Sequence, residues 1–390
     1  MKLIHIVFLF SVFFIAACTK NESVPDNTGI HVYNEILDKA ERTDDGGFIY
    51  TSHWGNSRFF SKMDSQGKKE WSKTLQPFAN DFSFSLEAFH QTADGGYVLA
   101  ATAIADNIYN RYRAYLIKTD AAGNYIWSKQ VDSLWTAGAL KIDDVIQGKS
   151  GNYFLTGMKE DLDDSSAYLM TLDPYGALVS RKYTGYHFTR SLLYETKDTS
   201  LLICAKYLDQ PLNFILKYKN GIEQGFYILN IQGQDRFANE LMEDDDGGYV
   251  IGGNTDFSLS KTDFFFHKIS ASGSTLFSQA ILDYNNNFCS AVSRTTDGGY
   301  IMIGTKSSDS ATTGTNNPEL SINTKIVVVK LDNNRNVKWS YVYGGNYGSQ
   351  GIAVSQSPEG LLILGNQVNA GNLNTANMVA IKAKNNGQIY

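Results

Sequence analysis

Cysteines, paired histidines, helical periodicity and basic stripes are scarce in this 390-residue chain, and each scarcity removes a class of protein. The three cysteines are Cys18, Cys204 and Cys289. The last two fall in repeats that are not neighbours, so a disulfide framework is not expected and buried free thiols are. His31, His53, His90, His187 and His267 form no HExxH or HxH pair, which removes the commonest zinc sites. No Gly-x-Ser-x-Gly elbow is present for serine-hydrolase chemistry. The formal charge is −6, with no basic stripe, which argues against nucleic acid as a partner. The apolar run Leu3 to Ala17 is too short and too near the start for an ordinary membrane span.

What the chain has instead is a phrase repeated about every fifty residues, an acidic turn ending in Gly-Gly followed by an aromatic strand. It reads Asp45-Gly46-Gly47-Phe48, Asp94-Gly95-Gly96-Tyr97, Asp246-Gly247-Gly248-Tyr249 and Asp297-Gly298-Gly299-Tyr300. Degenerate copies stand at Ser150-Gly151-Asn152-Tyr153, Asp198-Thr199-Ser200-Leu201 and Pro358-Glu359-Gly360-Leu361. Gly-Gly supplies positive φ for a tight hairpin, and Asp caps the turn with its carboxylate.

The sixth copy is the cleanest. Cys289 to Thr295, Tyr300 to Thr305, Lys325 to Leu331 and Val337 to Tyr343 are short β-rich runs between Gly, Asp and Asn turns, with no ten-residue helical pattern among them. A second turn joins the third and fourth runs: Asp64 to Gly67 before Trp71, Asp120 to Gly123 before Trp127, Asp173 to Gly176, Ser270 to Gly273 before Phe277, and Asp332 before Trp339 with Arg335 where glycine is expected. The aromatic beyond that turn is expected to dock between adjacent sheets. Four strands per unit and seven units describe an all-β, seven-bladed β-propeller over residues 30–390, closed so that no sheet edge stays open. A β-solenoid is the rival, but its coils are shorter and lack two hairpins per unit. The chain stops soon after Gly387, so Ile30 to Tyr33 is expected to supply the fourth strand of the last blade.

Two resemblances add to this. Ile15-Ala16-Ala17-Cys18 resembles a bacterial lipobox, which implies a signal peptide over 1–17, cleavage before Cys18 and acylation of its thiol. Residues 18–29 then read as a polar tether. Thr19 after the cysteine, rather than Asp, points to the outer membrane, on either its periplasmic or its cell-surface side. The phrase Leu116-x-Lys118-x-Asp120-x-x-Gly123-x-x-x-Trp127 resembles the tryptophan-docking motif of quinoprotein-like propellers, including outer-membrane assembly lipoproteins. The wider pattern, DGGY followed by KxDxxGxxxW over residues 34–390, is similar to lipid-anchored propellers of Bacteroidota-type bacteria. The resemblance implies a fold and an anchor, not an activity.

Chemistry is thin. The acidic runs Glu243 to Asp246 and Asp161 to Asp164 lack the spacing of a calcium loop, and the first coincides with a repeat turn. No catalytic residue, metal ligand or cofactor is singled out. Both short turns of a blade lie at one end, so variable connections gather at the other, where function concentrates. Aromatic and basic residues assigned there are Trp54, Phe82, Tyr109, Tyr112, Trp135, Tyr186, Arg190, Tyr284 and Tyr347, suited to stacking on a glycan or peptide. The reading is a non-catalytic binding or scaffolding propeller anchored to the envelope, with a glycan, peptide or envelope protein as partner and no nucleic acid. The alternatives are a glycan-active hydrolase or lyase with carboxylates at a central mouth, and a structural subunit of an outer-membrane assembly.

Overall fold

A computed structural model describes residues 29–75, 83–106, 111–132, 139–160, 166–207, 213–229, 237–255, 262–281, 286–307, 323–344, 348–369 and 372–390. The fold is an all-β seven-bladed propeller, and every blade is a four-stranded antiparallel sheet. Blade 1 spans residues 36–75, blade 2 83–132, blade 3 139–183, blade 4 188–229, blade 5 237–280 and blade 6 287–343. Blade 7 takes residues 349–383 and adds Ile30–Tyr33 as its fourth strand. The chain forms two compact units. One holds residues 73–187, with blades 2 and 3, and the other holds blades 4 to 7 with blade 1 up to Ser72.

The expected interlock is present. Ile30–Tyr33 pairs antiparallel with Asn372–Ala383, running from Ile30 opposite Ile381 to Tyr33 opposite Met378. Ile389 bridges Ala383 just beyond, so the fourth strand of blade 7 is assembled from both ends of the chain. Tyr33 is buried and its hydroxyl donates to Gly67 O of blade 1 at 2.5 Å.

The Asp-Gly-Gly phrase is the first hairpin of each blade, and its mechanism includes two residues beyond the turn. In blade 6 the Asp297 carboxylate accepts from Thr295 Oγ1 at 2.6 Å and Gly299 N at 3.3 Å. Lys330 reaches back from the third strand to the same carboxylate at 2.7 Å, and to Thr295 Oγ1 and Leu331 O. Thr43, Asp45 and Lys62 repeat the arrangement in blade 1, and Thr92, Asp94 and Lys118 in blade 2. All three lysines are buried.

The second turn explains the docking aromatics. Gly176 of blade 3 has φ +79°, and a Cβ there would come within 2.8 Å of the Trp127 ring of blade 2. Trp127 also meets Tyr153 edge-on, with centroids 5.8 Å apart. Tyr227 of blade 4 covers Gly273 in the same way, and Trp339 and Tyr341 of blade 6 cover Gly387. Glycine is therefore required twice, for its left-handed backbone and for the space its missing side chain leaves. Arg335 is the informative departure. It accepts φ +71° without glycine, and its guanidinium stacks 5.6 Å from the centroid of Phe277, a smaller ring than the tryptophan used elsewhere.

A third feature was not visible in the sequence. The first strand of every blade carries a register shift against the second, at the same place in six blades and one pair further along in blade 4: between Leu37 and Lys39, Leu86 and Ala88, Ile142 and Asp144, Phe188 and Ser191, Ala238 and Glu240, Cys289 and Ala291, and Gly351 and Ala353. Such bulges add one residue and re-aim its side chain. Beside the bulge, in blades 5, 6 and 7, the end of the second strand holds the next blade. Asn366 of blade 7 donates to Leu37 O at 2.9 Å and accepts from Leu37 N at 2.8 Å in blade 1. Asn254 of blade 5 does the same to Cys289 of blade 6, and Thr305 of blade 6 accepts from Gly351 N of blade 7.

Candidate functional site

Blade 1 departs from blades 5, 6 and 7 at this position, as do blades 2, 3 and 4, which place Thr102, Met158 and Lys206 there. The register pairs opposite Asn254, Thr305 and Asn366 are Phe237, Phe288 and Gln350, and the corresponding pair in blade 1 is Ile36 opposite His53. The clamp position is thus occupied by an imidazole. His53 Nδ1 lies 2.6 Å from Asp38 Oδ1, and Asp38 is the extra residue of the blade's own bulge. Arg58, opposite His53 on the third strand, adds its guanidinium 3.5 Å from Asp38 Oδ2. Burial raises the Asp38 carboxyl above its usual range, while His53 and Arg58 pull it the other way. An ionised Asp38 accepts from the Nδ1–H of the ring and so fixes its orientation. Among the described residues, His53 has Asp38 as its one side-chain partner.

Trp54 follows His53 and closes the second strand, paired with Ser57 across Gly55 and Asn56. Gly55 has φ +55°, which a two-residue hairpin uses to match the twist of its strands. The indole is 43% exposed, the most exposed tryptophan or phenylalanine among the described residues. This hairpin lies at the end of blade 1 opposite the Asp45 turn. The Asp38–His53–Arg58 group and the exposed Trp54 occupy the same end of blade 1, with His53 and Trp54 on opposite faces of the strand they share. The indole can stack on a sugar or apolar ring, and the polar group can hydrogen-bond hydroxyls.

Of the other residues assigned from sequence, Cys18, Phe82, Tyr109, Trp135, Tyr284 and Tyr347 lie outside the described residues. Tyr112 lies within the strand Arg111–Thr119, opposite Ile104, rather than on a loop. Arg190 is likewise on a strand, Phe188–Glu195, and donates to Asn239 Oδ1 of blade 5 at 3.2 Å, which gives it an inter-blade role. Tyr186 is half-buried and anchored through its backbone, accepting from Ala167 N at 3.1 Å. Trp54 is therefore the member of the set that the structure places exposed at a hairpin, next along the strand to His53. Asp38, His53 and Arg58 were missed because their meeting depends on a bulge that leaves no mark in the residue pattern.

The acidic run of blade 5 is a structural turn. Asp244 replaces the threonine of other blades and is gripped by Lys268, by Arg294 Nη1 at 2.9 Å and by Tyr300 OH at 2.6 Å. Burial opposes its ionisation, but these partners prevail and hold its pKa at about 2. Glu243 accepts from Lys197 N, Asp245 pairs with Arg294, and Asp246 with Lys268. The run Asp161 to Asp164 lies outside the described residues. Cys204 and Cys289 are buried free thiols, and burial pushes Cys204 up to about 12.

Comparison with known proteins places the chain in a structural class. No protein-family model and no curated protein sequence matches it. Solved structures similar to it include puromycin hydrolase, at 13% identity and TM-score 0.57 over 91% of this chain and 53% of that one. A prolyl endopeptidase is similar at 10% identity and TM-score 0.54, over 92% and 48%. The polysaccharide lyase Uly1 is similar at 9% identity and TM-score 0.53, over 89% and 90%. This chain spans about half the length of the first two and nine-tenths of the lyase. At these identities the likeness is one of propeller fold.

Proposed function

We propose that this protein is a non-catalytic recognition module of the bacterial envelope, held by a lipid on Cys18, that binds a glycan through the blade 1 hairpin. The observation that carries the reading is the end of blade 1 opposite the Asp45 turn, where a carboxylate–imidazole pair and an exposed indole are neighbours in sequence. The position that joins blades 5, 6 and 7 to their neighbours holds, in blade 1, the histidine of an Asp38–His53–Arg58 cluster, and the next residue along the strand is the exposed Trp54. The ring face of Trp54 supplies stacking, Arg58 donates to hydroxyls and Asp38 accepts from them. A glycan array followed by titration calorimetry on the best binder tests this. Trp54→Ala is expected to weaken binding about tenfold or more, in line with ~1–3 kcal/mol for loss of a stacking aromatic in a binding site, with an unchanged unfolding midpoint. Equal affinity for the variant rejects the site.

A glycan-active lyase or hydrolase is the second reading, favoured by the carboxylate-oriented imidazole. The similarity to a polysaccharide lyase over nearly the full length of both chains supports examining it. It predicts new reducing ends or unsaturated products that disappear in His53→Gln. Binding without turnover supports the recognition module.

A further inference from the structure

We infer that the short-turn end of the blades faces the membrane and that the Trp54 hairpin faces away from it. The inference rests on the lipid-anchor reading above and adds an orientation to it. The described chain begins at Gly29, whose carbonyl accepts from Lys382 N at 2.7 Å. Lys382 lies just before the turn Lys384 to Gly387, which joins the two segments of the last blade at its short-turn end. From Gly29 the strand Ile30–Tyr33 runs away from that end, antiparallel to Asn372–Ala383.

The last residue marks the same spot. A Cβ on Gly29 would lie 3.7 Å from Tyr390 Cβ, and the Tyr390 hydroxyl donates to Glu359 O in the first hairpin of blade 7. Gly29 has φ +71°, a backbone turn at the point where the preceding chain joins the strand. The tether therefore meets the fold at the end that carries the Asp-Gly-Gly turns, at the junction of blade 7 and blade 1.

The candidate site lies at the opposite end. Phe48–Trp54 climbs from the Asp45 turn to the hairpin over seven residues, a rise of about 20 Å at ~3.3 Å per residue. Residues 19–28 give a ten-residue tether, which spans at most about 35 Å fully extended and about 17 Å as a flexible coil. To bring Trp54 against the bilayer, this tether would have to double back along the strand Ile30–Tyr33 for most of its length. With the short turns inward it needs no such detour. The bilayer then meets the turn end, and a ligand reaches Trp54 from the aqueous side.

Two single-cysteine probes on the full-length acylated protein test the orientation in phosphatidylcholine–phosphatidylglycerol vesicles carrying a headgroup-linked quencher. One is Asn333→Cys, in a short turn of blade 6, and the other Asn56→Cys, at the tip of the Trp54 hairpin. Cys204 and Cys289 are buried and do not compete for label in the folded protein. Flotation with the vesicles, lost in Cys18→Ala, reads the anchor, and quenching reads the orientation. Quenching several-fold stronger at 333 than at 56 is expected. Flotation with equal quenching, or with stronger quenching at 56, overturns the orientation and leaves the anchor standing. Failure to float overturns both.

Discussion

Asp297 and Lys330 form an ion pair whose two ends sit in different surroundings. The lysine side chain is 2% exposed and the aspartate 45%. Removing either leaves the other behind, so the two deletions have unequal costs. Asp297→Ala strands a buried ammonium with only neutral oxygens around it and is expected to cost about 3 kcal/mol. Lys330→Met fills the same space and leaves a carboxylate already half in water, at about 1 kcal/mol or less. Urea unfolding of both variants measures the difference, and equal losses would contradict the account. The sequence showed the turn because positive φ at Gly298 is a local demand that glycine meets wherever it occurs. The lysine's part was hidden, since Thr295, Asp297 and Lys330 meet only when three strands pair.

At the scale of the strand, the four residues Ile30–Tyr33 do more than their length suggests. They complete the hydrogen bonding of Asn372–Ala383, bury Tyr33 and reach Gly67 in the next blade. Without them that strand becomes an open edge. Deleting residues 30–33 is expected to lower the thermal midpoint sharply, by ten degrees or more; an unchanged midpoint by calorimetry would refute the role. This strand was legible because Ile30 to Tyr33 is a short β-rich run set just before the first strand of blade 1. The cluster at Asp38, His53 and Arg58 was not, for a physical reason. Alternation places residues on faces only while the register holds, and the shift between Leu37 and Lys39 breaks it. Tyr112 and Arg190 show the complementary error, since polar and aromatic residues near an inferred loop belong to strands that run on further.

For the whole molecule, the repeated turns predict how stability depends on pH. Asp45, Asp94 and Asp297 are each opposed in ionisation by burial, which is outweighed by the buried lysine and the threonine hydroxyl of their turn. Asp198 is lowered first by Thr196 and Ser200, and Asp244 stands at about 2. All five fall below the ~4 of an unfolded aspartate. A carboxylate depressed on folding contributes stability above its unfolded pKa and loses it as pH falls toward the folded one. Stability owed to these turns is thus expected to be level from neutral pH to about 4 and to fall steeply between 4 and 2. Urea midpoints across that range check it, and a major loss already between pH 7 and 5 would refute it.

The shared fourth strand of blade 7 also sets the order of events when the protein is made. Residues 30–33 are among the first of the fold to be synthesised, and their partners, 378–381, are among the last. Contacts this distant in sequence are slow to form because a loop of nearly the whole chain must close first. Until then the opening segment has no mate and the seventh sheet has a bare flank. The fold cannot finish as it emerges, blade after blade. It finishes once, at the end, when the beginning of the chain is brought back to meet it.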